Sequence, residues 1–240
     1  LALRICDPSV GSGHFLVGAA RRLARHLARV RALELGESEP SPLTYQQSLR
    51  DVIGRCLYGV DINPMSAELC RVGLWLEALE PGKPLSFLDH HIRVGNSLLG
   101  ASPELLAEGI PDGAFKPIEG DDKKACQVLK KRNKGARSGY GPLFEHYDAE
   151  NQARIEAAAA ALEELPDDRP EDIKAKERAF RRHEQTDAYK SKRLFADTWC
   201  AAFVAEKYFS ETGRENSAVG ILQEHLNTLA SGGTLAKEMK

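Results

Sequence analysis

The run Asp7-Pro8-Ser9-Val10-Gly11-Ser12-Gly13-His14-Phe15-Leu16 constrains the fold more than any other part of this chain. Just before it, Leu3-Arg4-Ile5-Cys6 reads as a buried strand, and residues 15–35 read as a long helix. In that helix Phe15, Leu16, Ala19, Leu23, Ala24, Leu27 and Val30 recur at mostly three- and four-residue spacing, the period of one buried helical face. A strand that ends in an acidic residue and turns through Gly-x-Gly straight into a helix is the opening unit of an α/β sheet. Glycine turns where a Cβ would clash and lets the backbone come close to a ligand, so the turn reads as a nucleotide-cofactor cradle.

Two common cofactor loops do not fit. The dinucleotide fingerprint needs a third glycine three positions after Gly13, where Leu16 stands; the next glycine is Gly18. An acid about 20 positions on should then hold the ribose, but residues 25–31 are basic. The triphosphate loop needs Gly-Lys-Ser/Thr, which occurs nowhere in the sequence.

Three further segments carry a specific pattern. Leu57-Tyr58-Gly59-Val60-Asp61-Ile62-Asn63-Pro64 reads as a second strand ending in an acid. Glu68-Leu69-Cys70-Arg71-Val72-Gly73-Leu74-Trp75-Leu76 reads as the helix after it, and Ile92-Arg93-Val94-Gly95-Asn96-Ser97-Leu98-Leu99-Gly100 as a short third strand with its turn. With the opening Asp-Pro-x-x-Gly-Ser-Gly-x-Phe-Leu, these resemble, in order, the first three motifs of the S-adenosylmethionine-dependent DNA methyltransferases that modify adenine N6. The likeness is to the large enzymes of restriction-modification and phage-defence systems, and it covers residues 1–100. It implies a partial Rossmann-like class I methyltransferase sheet with a large α-helical insertion or extension, and S-adenosyl-L-methionine as cofactor.

The resemblance also assigns residues. Asp7 and Pro8 order the loop, Gly11 and Gly13 line it, Asp61 accepts from the ribose hydroxyls, Ile62 packs on the adenine face and Asn96 hydrogen-bonds the adenine edge. Ligands of open α/β sheets lie at the carboxyl ends of the strands, where all of these residues would fall. Each has a plainer use as well. The glycines suit any tight turn, Asn63 before Pro64 is a helix start, and Asn96-Ser97 suits a turn.

Composition bounds the rest. At 240 residues the chain holds one large or two small domains, and a net charge of −2 with pI near 6.4 gives no global basic signature. The five cysteines are odd in number, widely spaced and without Cys-x-x-Cys, so they read as reduced, buried thiols of a cytoplasmic protein, with Cys6 and Cys56 in core strands. His90-His91 lacks a third ligand nearby, so no metal site is expected. No apolar run approaches the ~18 residues of a membrane span. There is no initial methionine and the first residues already form a strand, which points to a piece of a larger protein.

Along the chain, residues 1–100 read as βα units, with an extra helix at 44–53 capped by Thr44. Residues 101–142 read as a loop-rich, basic segment, and 143–240 as a helical bundle with helices at 151–165, 171–209 (one, or two in tandem) and 218–230. Leu194, Phe195, Trp199, Ala202 and Phe203 form an apolar stripe suited to core packing. Within 121–140, Lys123, Lys124, Lys130, Lys131, Arg132, Lys134 and Arg137 outnumber Asp121 and Asp122, and Gly135, Gly139 and Gly141 make the second half flexible. That segment is either a DNA-phosphate contact or a solvated loop. The arginines of the first helix (Arg21, Arg22, Arg25, Arg29, Arg31) read as a solvated face.

The chemistry-bearing motif is missing. Adenine N6 is a poor nucleophile, and the family that the chain resembles presents it to Asn/Asp-Pro-Pro-aromatic after a fourth strand, with the base flipped from the duplex. The only Asn-Pro here is Asn63-Pro64, followed by Met65 and Ser66. Two explanations fit. The chain is the cofactor-binding portion of a methyltransferase that meets double-stranded DNA as a full-length protein, or it is a non-catalytic DNA-binding or scaffold subunit with a vestigial fold. Three strands alone would leave a sheet edge open to association.

Overall fold

The computed structural model describes residues 2–137, 140–210 and 217–235, and among them the chain forms a mixed α/β structure in two compact units. One comprises Leu1–Leu98 with Ala159–Arg182, the other Leu99–Ala158 with His183–Lys240.

The first unit is built on three parallel strands in the order β1-β2-β3: β1 (Ile5–Asp7), β2 (Leu57–Asp61) and β3 (Ile92–Val94). Asp7 pairs in register with Gly59 and Asp61 with Val94, so the three carboxyl ends emerge along one edge. Between β1 and β2 run α1 (His14–Glu34) and α2 (Pro42–Cys56); α3 (Pro64–Glu77) follows β2. Ala20, Ala24, Ala28 and Ala32 are all buried, at a constant spacing of four. That stripe of small side chains lets a neighbouring helix approach closely. Around it Leu16, Leu49, Val52, Ile53, Leu57, Leu74, Leu88 and Ile92 form the core; each fully buried side chain of this size contributes about 2 kcal/mol.

Local chemistry sets the helix starts. α2 begins two residues before the expected 44, because Ser41 rather than Thr44 caps it: the Ser41 hydroxyl accepts from the Thr44 amide at 3.1 Å, and Pro42 occupies the first turn. Asn63 caps α3 in the same way, accepting from the Met65 amide at 3.0 Å, with Pro64 next. The second half of the chain adds to this unit: Glu163 pairs with Arg4 at 2.9 Å and accepts from the Tyr58 hydroxyl at 3.1 Å, and Arg50 donates to the Asp167 carbonyl at 2.8 Å.

One expectation fails in the sheet. Cys6 is exposed because β1 is an outer strand that pairs only with β2 among the described residues, and Cys56, although buried, ends α2 and lies in no strand.

The second unit is mainly helical. α4 (Pro103–Glu108) and a 3-10 turn (Asp112–Phe115) precede α5 (Lys123–Ala136), and α6 (Tyr140–Glu163) up to residue 158 and α7 (Pro170–Gln185) from residue 183 also belong to it. The run expected at 171–209 is two helices, α7 and α8 (Asp187–Val204), because Thr186 breaks it and caps α8 at the Tyr189 amide. A two-stranded antiparallel ladder, β4 (Tyr208–Phe209) with β5 (Ala218–Val219), then takes residues that the periodicity assigned to helix, and α9 spans only Gln223–Ala230. Phe195, Trp199 and Ala202 are core residues, as their stripe implies, with Leu129, Leu222 and Leu226. A buried polar node ties the unit together: Asn133 donates to the Ile110 carbonyl and accepts from the Gln223 amide, both at 2.8 Å, while Gln223 accepts from the Ile110 amide at 2.7 Å.

The basic segment is a helix over Lys123–Ala136, not a flexible loop. Asp122 caps it at the Lys124 and Ala125 amides. Gly135 lies inside α5 and Gly141 inside α6, while Gly139 is outside the described residues. Among the described residues no helix is long and apolar enough to cross a membrane.

Candidate functional site

The loop between β1 and α1 is held from both sides. The Val10 amide donates to the Val60 carbonyl at 3.0 Å and the Gly13 amide to the Val10 carbonyl at 2.9 Å, so the turn folds back over the end of β2. Asp7 accepts from the Ser9 amide at 3.0 Å, an Asx turn that orders the loop's entry, and Pro8 between them stands exposed with its φ fixed by the ring.

The two glycines have different reasons to be glycine. Gly13 sits at φ +86° as the N-cap of α1, and a Cβ there would come within 2.7 Å of the Cys70 sulfur and 3.2 Å of the Cys70 backbone. Its smallness serves packing on α3. Gly11 sits at φ +54°, and a Cβ there would meet nothing within 4 Å. Space is left open at Gly11 alone, on the outer side of the turn. Below the loop Cys70 is fully buried, and burial, with Asp7 nearby, pushes its thiol up to about 11.

Asp61 does more than the sequence suggests. One carboxylate oxygen accepts from the Gly11 amide at 2.8 Å and the other from the Asn63 amide at 2.8 Å. The residue thus clamps the glycine turn to the start of α3. A carboxylate offers about four lone-pair sites, so two acceptor directions stay open for ribose hydroxyls. Ile62 beside it is 68 % exposed, a free apolar face next to a polar acceptor.

The third element reaches the same place through the Gly95 amide, which donates to the Asp61 carbonyl at 2.9 Å. Asn96 follows. Its side-chain oxygen accepts from the Leu98 amide at 3.0 Å, which leaves the exposed amide NH2 as its outward group. The element therefore presents a donor suited to a ring nitrogen of adenine. A feature that the motifs did not flag completes the set. No side chain caps α1, so its first-turn N–H groups remain available to an anion at the helix's positive end. The donor set fits an amino-acid carboxylate there, a ribose at Asp61 and a purine at Ile62 and Asn96. Asp7, Pro8, Gly11, Gly13, Asp61, Ile62 and Asn96 all stand at the carboxyl edge of one sheet.

A cleft of about 650 Å³ in the same unit has other walls, among them Arg31, Arg50, Asp51, Lys83, Asp168 and Lys176. Its charges are largely paired with each other, Lys83 with Asp168 at 2.9 Å and Arg31 with Asp51 at 2.5 Å. Acids outnumber bases in its lining, and none of the loop and strand-end residues named above lines it.

The six basic residues of α5 and its C-cap Arg137 lie in the second unit, and four of the seven are already engaged. Lys130 and Lys134 face Asp112 at 3.5 and 3.3 Å, Arg132 pairs with Glu224 at 2.9 Å, and Arg137 donates to the Glu108 carbonyl at 3.1 Å. Lys123, Lys124 and Lys131 are exposed, with no ion pair among the described residues.

Two curated proteins are similar to the chain. One, provisionally named a type II restriction enzyme and methyltransferase, from Methanocaldococcus jannaschii, is 30% identical over 196 residues, which cover 69% of this chain and 16% of that protein. The other is the adenine-specific methyltransferase PglX of Streptomyces coelicolor, 34% identical over 105 residues, 40% of this chain and 8% of that protein. The chain thus spans well under a fifth of the length of either relative. No family model and no solved structure matches it.

Proposed function

We propose that this chain, which is related to the adenine methyltransferases of restriction-modification type, is the S-adenosyl-L-methionine-binding part of a DNA adenine-N6 methyltransferase. The observation that carries the reading is the meeting of three strand ends at one clamp. Asp61 holds the glycine turn through the Gly11 amide, and its own carbonyl receives the Gly95 amide next to Asn96. On this reading the sheet is the leading half of a Rossmann-like class I methyltransferase. When bound, the cofactor supplies an activated methyl on a sulfonium.

The residues of this chain bind and orient. The uncapped first turn of α1 takes the amino-acid carboxylate, the open lone pairs of Asp61 accept from the ribose hydroxyls, Ile62 covers one adenine face and the Asn96 amide donates to the ring. Asp7 and Pro8 hold the loop's entry. Gly11 leaves room for the ligand, and Gly13 brings the turn onto Cys70. The uncovered edge of β1, where Cys6 is exposed, is available to a further strand. One running parallel to β1 would end beside Asp7, where a base-presenting motif would need to stand. The free lysines of α5 remain a proposed contact for DNA phosphates in the full-length protein.

Titration calorimetry with S-adenosylmethionine tests the binding reading. Heat with micromolar affinity is expected, and Ile62→Ala should weaken it about tenfold, as loss of an apolar contact worth ~1.5 kcal/mol does. Ile62 is mostly exposed, so this change probes the ligand and not the fold. No heat from the parent chain at high micromolar cofactor would sink the proposal. The lack of an Asn-Pro-Pro-aromatic in these 240 residues favours, as the second reading, a non-catalytic DNA-binding or scaffold subunit, and absence of heat is its signature.

A further inference from the structure

The cleft of about 650 Å³ lies within the ~300–1,000 Å³ range of small-molecule sites. Its walls come from the last turns of α1, the length of α2, the connection from α3 to β3, residues 163–168 and α7. All of these residues belong to the unit that holds the sheet. Two charged side chains on the walls are buried and incompletely satisfied. Lys176 is 6 % exposed, and no hydrogen bond or ion pair joins it among the described residues. Glu80 is 9 % exposed, and its Oε2 accepts no hydrogen bond. Lys83 stands 3.5 Å from that oxygen but closer to Asp168, at 2.9 Å.

The other buried or half-buried charges of the cleft are already taken. Arg31 is held by Asp51, Arg50 by the Pro84 and Asp167 carbonyls, and Glu163 by Arg4 and the Tyr58 hydroxyl. What is left over inside is one cation and one anion, Lys176 and Glu80. Outside, Glu34 and Glu164 are exposed without an ion pair among the described residues, and seven acids line the cleft against five bases. A buried ammonium without a counter-charge costs stability unless something completes it. Burial pushes the Lys176 pKa down, and an anion set beside it would reverse that shift.

We propose that the cleft is a second ligand site, for a basic amino acid whose carboxylate pairs with Lys176 and whose cationic groups meet Glu80 and the acidic rim. Each simpler ligand leaves one of these groups unanswered. A planar base would find no aromatic ring among the described lining residues. A phosphate dianion would meet one free buried cation against an excess of acids. A diamine would leave Lys176 unpaired, and a plain carboxylate would leave Glu80 unpaired. A free amino acid and the C-terminal residue of a basic peptide share the required chemistry. The inference uses no residue of the cofactor edge, so it stands or falls apart from the function proposed above.

Titration calorimetry of the whole 240-residue chain with L-arginine, at matched ionic strength, tests it. Saturable heat is expected with Kd near ~1 mM, the scale of two charge-assisted hydrogen bonds. Lys176→Met should weaken L-arginine at least about tenfold, and agmatine, which lacks the carboxylate, should bind the parent weaker by the same factor. Glu80→Gln should weaken L-arginine as well, and L-glutamate should give no heat. Lys176→Met removes an unpaired buried charge, so its fold is secure, and its heat with S-adenosylmethionine should match the parent's. Nα-acetyl-L-arginine bound as tightly as L-arginine would assign the site to a peptide's C-terminal residue, and weaker binding would assign it to the free amino acid. No saturable heat from L-arginine up to ~20 mM, agmatine bound as tightly as L-arginine, or an unchanged affinity in Lys176→Met would each overturn the proposal.

Discussion

Gly11 and Gly13 stand two residues apart in the same turn and predict opposite consequences when given a side chain. Gly13→Ala combines φ +86° with a clash against the backbone of Cys70, so it should lower stability by about 2–4 kcal/mol, read in a chemical melt. Gly11→Ala meets no protein atom and should cost only ~1 kcal/mol from its backbone angle, yet weaken S-adenosylmethionine at least about tenfold, because the methyl group takes the ligand's room. Equal destabilisation by both would remove the distinction. Lys176 makes a third residue-scale case. It is 6 % exposed, and burial pushes its pKa down from the ordinary lysine value. An ammonium held there at neutral pH costs stability, and Lys176→Met should raise the unfolding free energy by about 1 kcal/mol, measured by denaturant titration. At this scale the motif residues were legible because each carries local chemistry: Asp-Pro at a strand end, Asn-Pro at a helix start, glycine at a turn. What Gly13 rests on was not, since Cys70 lies 57 positions away in the sequence and only tertiary packing brings α3 beneath the loop.

At the scale of elements, the segment entering β3 has a pH dependence built into it. The two histidines before that strand sit in an aromatic nest: His91 stacks on Tyr58 with ring centroids 4.3 Å apart, and His90 stacks on Phe87 at 5.4 Å. Neither ring nitrogen of His90 has a hydrogen-bond partner. His91 holds the Leu57 carbonyl at 2.7 Å through its Nδ1. Burial pushes His90 down to about 2, aided by the charges of His91, Lys176 and Arg93, and pushes His91 down to about 4 against the opposing hydrogen bond to Leu57. Both are therefore neutral in the fold and protonate near pH 6.5 once unfolded. The unfolded chain binds more protons below that pH, so stability is complete above pH 6.5 and falls as pH drops toward 4, with His91 accounting for up to about 3 kcal/mol. Denaturant midpoints between pH 7 and 4 should decline, and His90→Phe should flatten part of the slope; a parent profile without slope would contradict the geometry. The sequence identified the helices by their period but misjudged α5, because its lysines and glycine suggested mobility while the apolar side that holds Ala125, Cys126 and Leu129 went unweighed. It missed β4 and β5 too, since two-residue strands carry no period to read.

For the whole molecule, binding and transfer should come apart. The residues that would hold S-adenosylmethionine meet within one unit, whereas no residue of this chain matches the family's base-presenting tetrapeptide. Incubation with duplex DNA and methyl-labelled cofactor should leave the DNA unlabelled even where calorimetry records binding, and label on adenine would show that the chemistry has another source here. The split of the chain into two units was not legible, because residues 159–182 join the sheet through contacts such as Tyr58 with Glu163 that no local pattern announces. One more consequence follows from the thiol beneath the glycine turn. Cys70 is sealed from solvent and stays a protonated thiol at neutral pH, so a thiol reagent reaches it only in the moments when the turn lifts. Its labelling rate is therefore a clock for that motion, already present in the natural sequence, and a ligand that pins the turn should slow it without any probe having been added.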